Sequence, residues 1–202
     1  MAKKAESNLK NMLLSLTLIA LVASFALAMV NNVTKGPIED VNKKKVEAAV
    51  AKVLPSFKEY TIDTVLVTVS TSKGDVETPL TRYTAVDESG NMVGKAVESF
   101  DNNGFGGKLS AMVGFDAEGN ISGYEILGSS ETPGLGAKAD MWFQKDGKGD
   151  VIGMNPGANG LKVKKDGGEV DAITGSTITS RAFCRMVETA YKAFDNEKGG
   201  IE

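Results

Sequence analysis

Histidine is absent from the 202 residues, and there is one cysteine, Cys184. The first absence removes the usual general base, the commonest metal ligand and the Ser/His and Cys/His nucleophile pairs. The second excludes a disulfide within the chain and a thiolate metal cluster. Cys184 sits in a helical apolar stretch and reads as packing rather than reagent. Neither sign of charge dominates, with 23 basic residues against 26 acidic, and no like-charge run is longer than Lys43-Lys44-Lys45. No electrostatic case for a nucleic-acid partner follows from that balance. Redox chemistry in such a chain has to come from a cofactor.

One long hydrophobic run is present. No charge occurs from Asn11 to Thr34, and Met12 to Val30 is nearly all apolar. Nineteen helical residues at ~1.5 Å each reach about the ~30 Å of a bilayer's hydrocarbon core. A cleaved signal peptide is the rival reading, with Lys3, Lys4 and Lys10 as basic flank and Ala26-Leu27-Ala28 as a small-x-small site. The run is longer than the ~7–15 apolar residues usual in signal peptides, which favours a retained anchor. The short lysine-bearing tail sets orientation, because long domains translocate largely regardless of charge. The expected organisation is a cytoplasmic tail over 1–11, a transmembrane helix over 12–32 and an extracytoplasmic domain over 33–202. That places the chain in the cytoplasmic (inner) membrane, in contact with the lipid bilayer, with its domain on the periplasmic side.

After the span, Val46, Ala49, Val50 and Val53 fall on one helical face, closed by Pro55. Then the texture changes, and 22 of the 23 glycines lie at or beyond Gly74. Tyr60 to Ser72 is rich in β-branched residues and predicts a strand. Tyr83 to Ser99 predicts a hairpin turning at Glu88-Ser89-Gly90-Asn91, and Lys108 to Leu127 another turning at Ala117-Glu118-Gly119-Asn120. Lys145 to Gly168 reads as short strands and loops. Phe183, Met186, Val187, Ala190, Tyr191 and Phe194 trace an apolar stripe on a helix from about Thr179 to Asn196, stopped by Gly199-Gly200. The predicted fold class is α+β: an antiparallel twisted sheet packed with helices, preceded by one N-terminal transmembrane helix.

Two stretches do not reduce to packing. Asp171 to Phe183 crowds Thr174, Ser176, Thr177, Thr179 and Ser180 around Gly175 at a helix start. A cap and turn accounts for hydroxyls there. A phosphate cradle is the alternative, since the first helical N–H groups are unpaired and carry partial positive charge, though spacing alone favours the cap and turn. Neither a Walker loop nor a GxGxxG pattern is present. The second stretch is Glu131-Thr132-Pro133-Gly134-Leu135-Gly136, either a connecting turn or a flat apolar seat for a ring.

The two together, about forty residues apart, resemble the FMN-binding domain shared by two families. These are the G subunit of Rnf-type ion-translocating oxidoreductases and the C subunit of Na+-translocating NADH:quinone reductases. The resemblance spans essentially the whole chain. It implies an electron carrier between ferredoxin and NAD, coupled to Na+ or H+ translocation, with the other membrane subunits of such a complex as partners. In the family motif D-x-x-[ST]-G-A-T-x-[ST] the threonine after the alanine carries FMN through a phosphoester. That residue is Thr177 here, with Asp171 six residues earlier and Thr174, Gly175 and Ser176 leading into it. Ser176 stands where the family usually has alanine. Glu131, Thr132 and Leu135 are expected beside the flavin ring, and Gly134 of the same turn is counted with them among the cofactor-binding residues. A threonine hydroxyl is a poor nucleophile without a base, so attachment implies a separate flavin transferase. The short interval between motifs favours the Rnf-type protein. The alternatives are the quinone-reductase C subunit and an anchored, non-redox binding module.

Overall fold

The structure is a computed structural model that describes residues 8–71 and 74–196. The Lys3-Lys4 end of the basic flank, Ser72 and the expected Gly199-Gly200 stop lie outside the described residues. The chain divides into two compact units, Met1–Lys44 and Lys45–Glu202.

The first helix, α1 (Leu9–Val53), runs through Gly36 and Pro37, so the apolar run and the amphipathic segment after it are one helix. Pro37 has no N–H for the Val33 carbonyl, yet its fixed φ is helical. Within the first unit an apolar window of mean hydropathy 2.5 has no buried residue, and the helix is long and apolar enough to cross a membrane. The few hydroxyls there are satisfied locally: Ser15 Oγ donates to Asn11 O and Thr17 Oγ1 to Leu13 O. Local satisfaction is what a polar side chain needs where no water is at hand.

In the second unit five strands form an antiparallel meander in sequence order. They are β1 (Glu59–Thr71), β2 (Gly74–Val86), β3 (Met92–Gly104), β4 (Gly107–Asp116) and β5 (Ile121–Ser129). Both predicted hairpins are present, as β2–β3 and β4–β5, and each turn is built around an aspartate. Asp87 Oδ1 accepts from the N–H groups of Ser89 and Asn91, and Asp116 Oδ1 from those of Glu118 and Asn120. The sheet extends one hairpin further than predicted, because β2 begins at Gly74 and pairs with β1 along its length.

Alternating residues feed two cores. On one face Val65, Leu80, Val97, Ala111, Val113 and Phe115 pack against α4 (Thr177–Asp195). Phe183 of α4 stacks on Phe143 at 4.1 Å between ring centroids and meets Tyr124 edge-on at 4.8 Å. Arg82 is buried, pairs with Asp63, and donates to the carbonyls of Ala193 and Asn196 at the C-terminal end of α4. That contact satisfies carbonyls the helix leaves unpaired. On the opposite face Tyr83, Ala85, Ala96 and Met112 receive Ala49, Val50, Val53 and Leu54 from the end of α1. Ser122 Oγ donates to Val53 O at 2.6 Å. Gly114 permits this approach, since a Cβ there would lie 2.2 Å from Val53 O.

Between β5 and α4 the chain forms α2 (Ala139–Trp142), α3 (Pro156–Asn159) and 3-10 turns at Gly136–Lys138 and Lys164–Asp166. The strands expected within Lys145 to Gly168 reduce, among the described residues, to one isolated bridge from Val163 to Val170. Glycines and lysines there supply no two-residue alternation to pair.

Cys184 is buried on α4 among core side chains, and burial pushes its thiol up to about 12. Against an ordinary thiol of 9.0, that leaves a thiolate fraction smaller by about a thousandfold at pH 8. We expect maleimide to leave the native chain unlabelled over hours and to label it once in denaturant. Rapid native labelling would place Cys184 at an accessible surface.

Candidate functional site

Glu131 is a buried carboxylate, 8% exposed, and it belongs to no ion pair among the described residues. Its oxygens are met by neutral donors instead. Thr179 Oγ1 donates to Oε2 at 2.8 Å, and the Gly106 N–H donates to Oε1 at 3.2 Å. One side chain therefore links the loop after β5, the β3–β4 turn and the first turn of α4. The surrounding glycines make room for it. A Cβ on Gly136 would lie 2.5 Å from Glu131 Oε2 and 2.7 Å from Thr179 Oγ1, and one on Gly104 would lie 2.5 Å from Oε1.

This link encloses a cavity of about 360 Å³, lined by residues of both sequence motifs. From the first come Glu131, Thr132, Leu135 and Gly136; from the second, Gly175, Ser176, Thr177 and Ile178. Phe105 and Lys165 complete it. Three apolar side chains stand exposed around it: Phe105 at 70%, Ile178 at 49% and Leu135 at 44%.

The hydroxyl cluster separates into distinct roles. Thr179 and Ser180 are fully buried; Ser180 Oγ donates to Ser176 O and accepts from the Ile173 N–H. Ser176 occupies the N-cap position of α4 but makes no side-chain cap. No acceptor among the described residues meets the backbone N–H groups of Thr177, Ile178 or Thr179. Thr177 is half-buried, and its Oγ1 accepts from Lys165 Nζ at 3.4 Å. Thr174 is exposed, outside the cavity lining. Gly175 holds φ +78°, which supplies the reversal into the helix at no steric cost.

Asp171 and Gly134 also lie off the lining. Asp171 accepts from Lys164 Nζ at 2.7 Å, and its carbonyl accepts from Trp142 Nε1 at 2.8 Å. Gly134 holds φ +76° within the Pro-Gly turn. Next to Lys164 and Lys165, Asp166 takes a two-pronged contact from Arg181 of α4, both bonds at 2.7 Å. The hydrogen bonds from that guanidinium hold the Asp166 carboxyl below its ordinary value. Sequence reasoning missed Phe105, Gly136, Lys165 and Ile178. A lone aromatic between glycines in Asn103-Gly104-Phe105-Gly106-Gly107 was a readable signal for the first. Lys165 had none, because its neighbours are also charged.

Comparison with known proteins now bears on this geometry. A family described as FMN-binding domain matches residues 104–192. The G subunit of the Na(+)-translocating ferredoxin:NAD(+) oxidoreductase complex of Acetobacterium woodii is 33% identical over 191 residues, covering 91% of this chain and 90% of that one. The G subunit of the ion-translocating oxidoreductase complex of Shewanella baltica is 32% identical, with 92% and 89% covered. The solved structure of Shewanella oneidensis NqrC matches with a TM-score of 0.45 at 17% identity, over 66% of this chain and 79% of that one. The chain belongs to the G-subunit family of ion-translocating oxidoreductase complexes.

Removing one partner of the Glu131–Thr179 bond leaves a buried carboxylate short of a donor, a cost of about 1–3 kcal/mol. Thr179→Val is expected to destabilise the detergent-solubilised chain by that amount in urea titration, and Thr174→Val by less than about 0.5 kcal/mol. Equal effects from the two would remove Glu131 as the link.

Proposed function

We propose that this chain is the FMN-bearing, electron-carrying component of a membrane complex of the Rnf type. In this reading FMN is joined by a phosphoester to Thr177 Oγ1. One observation carries it: two motifs distant in sequence line one cavity, and a half-exposed threonine hydroxyl sits there at the start of a helix with unused N–H groups. The residues fit such a group. The cavity lies within the ~300–1,000 Å³ common for cofactor sites, and Phe105, Leu135 and Ile178 offer apolar surface to a ring. The free N–H groups of Thr177, Ile178 and Thr179 suit a phosphoryl oxygen. Flavin, when bound, supplies the one-electron chemistry that this histidine-free, single-thiol chain lacks.

The chain's own residues do three things in this scheme. Glu131 holds the β3–β4 turn and the α4 start at a fixed separation. Leu135 and Thr132 border the ring. Thr177 presents a hydroxyl that has no basic side chain beside it other than the cationic Lys165, so a dedicated flavin transferase makes the bond. The relatives' names support assembly with other subunits and coupling to ion movement, and that of the Acetobacterium woodii protein supports ferredoxin, NAD and Na+; H+ is the alternative ion in this scheme. Residues 12–32 of α1 anchor the chain in the cytoplasmic membrane, with 1–11 inside and the domain from 33 onward on the extracytoplasmic side. The quinone-reductase C subunit is the less favoured reading, since the relatives from ion-translocating oxidoreductase complexes match over about nine-tenths of their length.

Thr177→Ala is expected to abolish covalent flavin, read as loss of one FMN phosphoryl group from the intact mass and of in-gel fluorescence. Its fold should survive, because the hydroxyl has only the long contact to Lys165 and a surface cap is worth ~0.5–2 kcal/mol. Flavin retained in that variant, or mapped by peptide mass to Ser176 in the wild type, would overturn the assignment. Orientation has its own check. A cysteine added at the C-terminus of Cys184→Ser should be labelled by an impermeant maleimide from the extracytoplasmic side, and labelling only from the cytoplasm would reverse the topology.

A further inference from the structure

Ser176 has a property no other hydroxyl of the cluster shares. It is 8% exposed, lines the cavity, and its Oγ has no hydrogen-bond partner among the described residues. Among the described residues no buried side-chain oxygen is left without a partner, so this Oγ opens to the cavity and is available to a group seated there. The N-cap position offers it an obvious acceptor role toward the α4 N–H groups, and it does not take it. The three N–H groups it leaves alone are themselves without acceptors among the described residues. Donors thus converge on one place with no acceptor of their own.

Lys165 faces the same place. Its neighbours are committed, Lys164 to Asp171 and Asp166 to Arg181, and these two ion pairs tie the 3-10 turn to the segment before Thr177 and to α4 after it. Lys165 lies between them, belongs to neither pair, and points its Nζ at Thr177 Oγ1. The one acidic side chain on the cavity lining, Glu131, already accepts from Thr179 and Gly106.

We propose that Ser176 and Lys165 form a phosphate-binding half-site. The Ser176 hydroxyl donates to a non-bridging oxygen of the phosphodiester on Thr177, and Lys165 is its counter-ion. This rests on the attachment of FMN at Thr177 and adds to it a residue at the very position where the family pattern carries alanine. The bonds that α4 lacks at its start are then completed by the tether itself, so loading the chain with flavin stabilises its last helix.

The test compares full chains in one detergent, expressed with and without a flavin transferase: wild type, Ser176→Ala and Lys165→Gln. Intact mass and peptide mapping first establish which samples carry FMN on Thr177, and thermal unfolding is then followed for each. Without flavin both variants should melt within about 1 °C of wild type, because neither side chain has a strong partner to lose. With flavin each should melt roughly 3–8 °C lower than flavinylated wild type, as expected for loss of a charge-assisted hydrogen bond. The Lys165→Gln deficit should shrink in 1 M salt while the Ser176→Ala deficit persists. Equal shifts in both flavin states, or none in either, overturn the half-site while leaving the attachment standing. Failure of Ser176→Ala to accept flavin also overturns it, since the hydroxyl would then serve the attachment rather than the attached phosphate. Absence of flavin from the wild type is a different failure, that of the attachment itself, and the half-site falls with it.

Discussion

A buried carboxylate that forms no ion pair among the described residues sets the terms for this fold. Taking a charge out of water is costly unless donors replace the lost solvent, and Glu131 obtains those donors from the first turn of α4 and from the β3–β4 turn. The hydroxyl of Thr179 fixes where α4 begins, and the Gly106 N–H fixes where the β3–β4 turn folds over. Neither Gly104 nor Gly136 tolerates a side chain at this junction. Gly104 and Gly136 are therefore a packing requirement of one acid, while Gly134 and Gly175 serve turns of positive φ. The cavity is the space left over when the three segments are held at that distance.

Much of the fold was legible because its signals were local and periodic. The α4 stripe of Phe183, Met186, Val187, Ala190 and Phe194 is buried as its spacing requires. The β2–β3 and β4–β5 turns follow from an aspartate placed to accept from the N–H groups two and four residues on. The stretch from Lys145 to Gly168 holds the expected loops but, among the described residues, a single bridge in place of short strands, because its order comes from distant partners. Asn155 Nδ2 reaches the Glu118 carbonyl, and the Leu161 N–H donates to Glu188. Nothing in a window of ten residues carries such information.

The site was legible to a different depth. The two motifs could be paired by their resemblance to a family, and the cavity is lined by both. The division of labour within the hydroxyl cluster could not be read, since five similar side chains on one short stretch differ only in which way each faces. Lys164, Lys165 and Asp166 make the same point. In sequence they are a solvated charge run; in the structure two are tied down by opposite charges and the middle one faces Thr177. Asp171, which the motif places with the flavin residues, is engaged by Lys164 at the foot of that turn.

Under the proposed attachment at Thr177, the burial of Thr179 and Ser180 has a consequence for the order of maturation. Two and three residues beyond Thr177, these side chains are sealed under the helix, while Thr177 itself is reachable and Ile178 projects outward. An enzyme that modifies the finished fold meets a rim made of Phe105, Leu135, Lys165 and Ile178, contributed by four separate stretches of chain. An enzyme that modifies the nascent chain meets a linear word, Asp171 to Ser180, and of that rim only Ile178. The same ten residues present two unlike surfaces, and folding is the event that exchanges one for the other.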